Sequence, residues 1–157
     1  MSCENVKAYL EGVGFGDRFT LRETVADTVA NAAHTIGCTE AEIAKTMSFL
    51  VGDEVIVIVT SGDTKIANAK YKATFGTKAA MIPFTRVEEL TGHAPGGVCP
   101  FALRPGVKVY LDVALKRFPV SHASGGSLYA TVALSPEELE KITSPIGWVD
   151  VCAIKEA

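Results

Sequence analysis

Five consecutive β-branched residues, Val55-Ile56-Val57-Ile58-Val59, constrain this chain more than any other feature. Branching at Cβ favours extended backbone, and a run without polar alternation is satisfied by a strand covered on both faces. The stretch predicts a central strand with helices packed outside the sheet, followed by a turn at Ser61-Gly62-Asp63. It is far shorter than the roughly 20 apolar residues of a membrane span. Met1-Ser2-Cys3-Glu4 does not begin a signal peptide, so a soluble, cytoplasmic protein with no membrane partner is expected. With 157 residues, 48% hydrophobic and 21% charged, the chain is long enough for one core, and a single domain over 1–157 is expected rather than a disordered chain.

Around that strand, short helices and strands alternate irregularly. Val6, Leu10 and Val13 have helical spacing over 6–13, closed by Gly12 and Gly14. An alternating run over 18–22 comes next. Thr24 can cap a helix carrying Val25, Val29, Ala32, Ala33 and Ile36, with Gly37 as its stop. Thr39-Glu40-Ala41-Glu42 forms a capping box, predicting a short helix that runs into Phe49-Leu50-Val51. Residues 64–75 read as a lysine-bearing helix ended by Gly76, 78–82 as a brief strand, and Thr85 to Glu88 as a second capping box whose helix Gly92 ends. Strands are expected over 107–111 and 128–134, with a short helix or turn over 113–118 and a Ser124-Gly125-Gly126 turn between them. Ser135-Pro136-Glu137-Glu138 is a third capping signature, and 148–154 reads as a closing strand. These elements fit an α+β fold with a mixed sheet of about six or seven strands.

The net charge of -3 argues against a protein that coats DNA or RNA wholesale. It conceals a pattern: residues 1–63 carry -6, residues 64–136 carry +6 and residues 137–157 carry -3. Lys65, Lys70, Lys72 and Lys78 have no acidic neighbour between Thr64 and Val87. They could flank a phosphate backbone, or form the solvated face of a helix. Cys3, Cys38, Cys99 and Cys152 include no Cys-x-x-Cys pair, and with His34, His93 and His122 they show no metal-ligand spacing. Reduced thiols and no metal are expected.

Three features could carry chemistry. Lys45 lies near the end of the helix expected after Thr39, where it is either a functional cation or a surface lysine favoured by the macrodipole. The loop from Thr91 to Phe101 contains Gly96 and Gly97 ahead of Pro100. Such a loop can aim backbone donors at a carbonyl oxygen or a phosphate, or can serve as a tight crossover. Cys99, six residues after His93, suggests either a Cys-His nucleophile or a small buried hydrophobe.

Together, Ala44-Lys45-Thr46 after the Gly37 helix end, Thr91-Gly92-His93-Ala94-Pro95-Gly96-Gly97-Val98-Cys99-Pro100-Phe101, Val109-Tyr110-Leu111-Asp112, Ser124-Gly125-Gly126 and Leu134-Ser135-Pro136-Glu137-Glu138-Leu139 resemble the YbaK family, relatives of the editing domain of prolyl-tRNA synthetase. The resemblance implies a mixed, partly closed sheet and a free-standing deacylase that hydrolyses the ester of a mischarged tRNA, often tRNA for proline, without a cofactor. It implies the tRNA acceptor end as partner, with an aminoacyl-tRNA synthetase as a further one. Lys45 matches the family's essential lysine, and 96–100 match its Gly-x-x-x-Pro loop. Lys45 and Gly97 are thereby implied as catalytic, with Lys45 giving positive charge to an oxyanion or to the terminal phosphate. His93, Gly96, Val98, Cys99, Pro100, Ser124, Gly125 and Thr131 are implied to bind substrate. Two departures bear on the pocket that sizes the side chain: Thr131 stands where YbaK itself has an acidic residue on the strand before the Ser-Pro helix, and Cys99 precedes the loop proline. The charge pattern adds the expectation of a small RNA footprint with a shallow salt dependence.

Overall fold

The structure, a computed structural model, describes residues 2–155. In chain order the elements are α1 (Ser2–Gly12), β1 (Phe19–Leu21), α2 (Val29–Ile36), β2 (Ile43–Val51), β3 (Glu54–Ser61), β4 (Thr64–Ile66), α3 (Asn68–Phe75), α4 (Val87–Thr91), β5 (Lys108–Asp112), β6 (Ser121–Ser124), β7 (Ala130–Leu134), α5 (Pro136–Thr143), β8 (Gly147–Val149) and β9 (Cys152–Ile154). The main sheet runs β1-β7-β6-β2-β3-β5-β8, and β4 pairs with β9 in an antiparallel ribbon. β2/β6, β3/β5 and β5/β8 are parallel, and the other neighbours are antiparallel. The fold is therefore the expected mixed α/β arrangement. Its sheet does not close, because β1 and β8 are left as its two edges.

β3 is covered on both faces as its sequence demands. Val57 and Val59 join Val109 and Leu111 beneath α1 and α5, whose Val6, Leu10, Leu139 and Ile142 complete that core. Ile56 and Ile58 face the other way, onto Phe49, Tyr71 of α3 and Val151. Ser135 and Glu138 form the expected capping box of α5. Arg18 grips Glu138 through two 2.7 Å bonds and, with the Ser135 amide, holds that carboxyl down at about 2. Asp112, buried at the end of β5, accepts from the Ala114 and Val151 amides and so ties β5 to the start of β9.

Several elements differ from the expectations. The box at Thr39 forms but caps only a 3-10 turn, Glu40–Glu42, after which the chain extends into β2. Lys45 is accordingly on a strand and not on a helix. Thr28, not Thr24, caps α2, accepting from the Asn31 amide at 3.1 Å. Thr24 pairs instead with the Thr35 hydroxyl. The lysine-bearing stretch divides into β4 and α3, because Thr64 to Ile66 are drawn into pairing with β9. The box proposed at Thr85 and Glu88 does not form: Phe84–Arg86 is a 3-10 turn and α4 starts without a side-chain cap. Residues 121–124 form β6, and the single strand expected over 148–154 is split between two sheets.

Candidate active site

The site arises from an interruption in strand pairing. One edge of β2 is paired to β3 from Ala44↔Ser61 to Val51↔Glu54. The other edge meets β6 only at Ile43↔His122 and Ala44↔Ala123. It is taken up again farther on, where the Leu50 amide donates to Ala80 O at 2.9 Å and the Ile82 amide to Ser48 O at 3.2 Å. Residues 45–47 face the gap between these two neighbours. Backbone groups of alternate strand residues point to the same edge, so the amide and carbonyl of Thr46 point where those of Ser48 and Leu50 do, into the gap. A cavity of about 700 Å³ occupies it, with Lys45, Thr46, Gly96, Val98, Ser124 and Thr131 among its walls.

Lys45 shares a face of β2 with Ile43 and Met47, by the period of two. It is half-buried in the cavity wall and makes no ion pair among the described residues. Its pKa is pushed below the usual lysine value, chiefly by burial and secondarily by the charge of Lys155. A cation held in a partly dry pocket without a carboxylate is available to an anionic or polarised ligand.

The Gly-x-x-x-Pro loop contributes to the wall of the same cavity as Thr46, and its residues divide by role. Gly96, at φ +89°, and Val98 line the cavity. The Val98 amide has no acceptor among the described residues, whereas the Gly97 amide is committed to Ala94 O at 2.9 Å. Gly97 is needed for a close approach: a Cβ there would lie 3.0 Å from the carbonyl carbon and oxygen of Gly126. Ser124 lines the cavity and its hydroxyl accepts from the Gly126 amide. Gly125 lies behind the wall, where a Cβ would strike the Ala130 Cβ at 2.7 Å. Thr131 lines the cavity, and its buried hydroxyl accepts from Arg22 Nε at 2.9 Å.

His93, Cys99 and Pro100 are not cavity residues. His93 Nε2 and Cys99 Sγ do meet, at 3.5 Å, but both side chains are buried and both turn to the Phe101 carbonyl. Burial pushes the Cys99 thiol up to about 12 and pulls the His93 pKa down. The pair therefore ties the end of the loop into the core, away from the gap.

The aminoacyl-tRNA editing domain family matches residues 23–142, a span that includes every cavity residue from Ala26 to Thr131. The chain belongs to this family. The uncharacterized protein YwhH of Bacillus subtilis is 44% identical over 153 residues, covering 97% of this chain and 98% of its own. A crystal structure of a candidate trans-editing enzyme for prolyl-tRNA synthetase is similar at a TM-score of 0.86 with 28% identity, over 99% of this chain and 98% of that one. The hypothetical protein APE2540 is similar at 0.85 with 30% identity, over 95% and 99%.

Some cavity residues of the editing domain carry no motif in the sequence. Thr46 contributes backbone groups, which no residue type encodes, and its hydroxyl is buried without a partner among the described residues. His122 enters only because β6 pairs with β2. Asp27, Thr28 and Val29 line the cavity, at a helix start whose cap, Thr28, lies four residues after the expected one.

Proposed function

We propose that this chain is a trans-acting deacylase that hydrolyses the ester between a small amino acid and the terminal ribose of a mischarged tRNA, on tRNA for proline or a similar tRNA. The observation that carries the reading is the half-buried Lys45 ammonium, without an ion pair among the described residues, beside the free edge of β2 in a chain of the editing-domain family. An aminoacyl ester is already activated. Its hydrolysis needs an oriented water or the vicinal ribose hydroxyl, and donors for the oxyanion that develops on the carbonyl oxygen. The Thr46 and Val98 amides supply donors, and Lys45 supplies positive charge within the same cavity. Water adds to the carbonyl carbon, the ester C–O bond breaks, and the free amino acid and the tRNA hydroxyl leave. Lys45 acts on the oxyanion in this reading, because its burial in the wall sets the charge beside the ester rather than at the surface.

A second hydrolytic site of this kind is needed wherever a synthetase separates small side chains by only about 1–3 kcal/mol. A panel of mischarged tRNAs, each assayed for release of the amino acid above the spontaneous rate, tests the reading. Release of a small residue from at least one member, with the correctly charged tRNA spared, is the expected result. Intact tRNA binding without release from any member would make the chain a binding module of the same fold.

The cysteine takes no part in this chemistry. Cys99→Ala is expected to keep the wild-type deacylation rate and to cost roughly 1–2 kcal/mol of stability from lost packing. Unfolding titrations and single-turnover assays on one preparation check both, and a large fall in rate with normal folding would put the thiol back into the mechanism.

A further inference from the structure

We propose that Phe84 is a stacking platform for the 3′-terminal nucleobase of the RNA, an inference that rests on the deacylase reading. Phe84 is 76% exposed, yet it lines the cavity, together with Met81 at 60%. Its ring makes no aromatic or cation contact among the described residues. The backbone beneath it is anchored. Ile82 is buried and bonded to Ser48 O, Pro83 restricts the next step, and Phe84 opens a 3-10 turn. An apolar ring is thus held in water at the rim by a rigid segment.

The covalent structure of the substrate says what belongs there. The ester joins the amino acid directly to the terminal ribose, so an aminoacyl group lodged beside Lys45 and Thr46 leaves that ribose at the cavity mouth and its base one sugar farther out. A base presents a flat π-face, which stacks on an exposed aromatic ring whatever its sequence. Charge is compatible with an RNA end: no carboxylate side chain occurs between Thr64 and Val87, and Lys78 makes no ion pair among the described residues. Phe84 and Met81 are both exposed and both line the cavity, an apolar area limited enough to suit the end of one strand.

The test is a binding cycle that does not depend on turnover. Dissociation constants are measured at fixed salt for two uncharged acceptor-stem minihelices, one ending in CCA and one in CC, with wild type, Phe84→Ala and Phe84→Trp. Phe84→Ala is expected to weaken binding of the CCA minihelix by about 5- to 150-fold, to leave the CC minihelix unchanged, and to be rescued by Phe84→Trp. Equal weakening of both RNAs, or of neither, would overturn the platform. Circular dichroism confirms that the exposed substitution leaves the fold intact. Deacylation by the wild type is scored separately on the mischarged panel, so its absence with the binding cycle intact would remove the deacylase reading and keep the platform.

Discussion

Lys45→Ala is expected to lower the deacylation rate at least 100-fold, the scale on which a single charge-stabilising group is lost, while the melting temperature stays within a few degrees. The side chain makes no ion pair among the described residues, so its removal orphans no carboxylate. Its pKa is lowered by burial, which means that the folded state disfavours the charged form. A lysine of this kind makes folding less favourable at pH values where it is protonated in both states, and stability rises as pH climbs through the depressed pKa. Function runs in the opposite direction. If the ammonium stabilises the oxyanion, enzyme-specific hydrolysis falls as pH rises through that same pKa, earlier than an exposed lysine at 10.5 would allow. Single-turnover rates across alkaline pH, corrected for spontaneous ester hydrolysis, give the profile. Lys45→Arg keeps the charge without titrating in that range, and its residual activity should lack the alkaline limb. Near-normal turnover in Lys45→Ala would remove the residue from the chemistry.

Lys45 also illustrates what the sequence could and could not disclose. Its identity as a candidate was legible, but its setting was not. The capping box at Thr39 is real and satisfies its own amides, yet a box describes only the first turn. The conformation of residues 43–51 is decided by Gly52-Asp53, the two residues that join Val51↔Glu54, with Gly52 at φ +60°. A two-residue glycine turn against the Val55 to Val59 strand makes 43–51 the other arm of a hairpin, despite the helix-forming Ala, Lys and Met within it. The β3 strand was legible because its composition admits one environment. The gap beside β2 was not, because it depends on where β6 stops pairing and where 80–82 begins, and both are tertiary facts. His93 and Cys99 show the converse: six residues of spacing raised the pair as a candidate but could not place the imidazole on the thiol, and the structure shows a buried contact that is structural. The charge pattern was likewise only partly legible. Four of the nine cations in 64–136 are held by carboxylates, Lys70 by Asp150, Arg86 by Glu89, Lys108 by Glu54 and Arg117 by Asp63. That leaves fewer charges for phosphate than the segment total implies.

Gly97→Ala is expected to reduce the rate by about 10-fold, less than the roughly 100-fold cost of a 1 Å displacement of a reacting group, because contacts of 3.0–3.2 Å are relieved by a smaller shift, with a stability cost of about 1–3 kcal/mol from overpacking. On a loop residue that lined the cavity, a larger side chain would simply obstruct substrate entry. The structure gives a different mechanism, because Gly97 is buried outside the cavity lining and its backbone packs on the turn after β6. The new methyl group would meet Gly126 C and O at 3.0 Å and Ser127 N at 3.2 Å. Those are backbone atoms, and Gly126 is itself at φ +93°, so the contact is relieved only by moving the two loops apart. Gly96 and Val98 lie on one of those loops and Ser124 at the start of the other, all three in the cavity wall. In the proposed mechanism, displacement changes the distance from the Val98 amide to an ester held at Thr46. The split between kcat and KM separates the mechanisms: misplaced donors lower kcat at saturating substrate, whereas an obstructed mouth raises KM alone. Gly106→Ala is the control, since Gly106 also has a positive φ of +91° but a Cβ there meets nothing within 4 Å. It should lose some stability through backbone strain and keep its rate. Equal rates for Gly97→Ala and Gly106→Ala would show that loop contact has no part in catalysis.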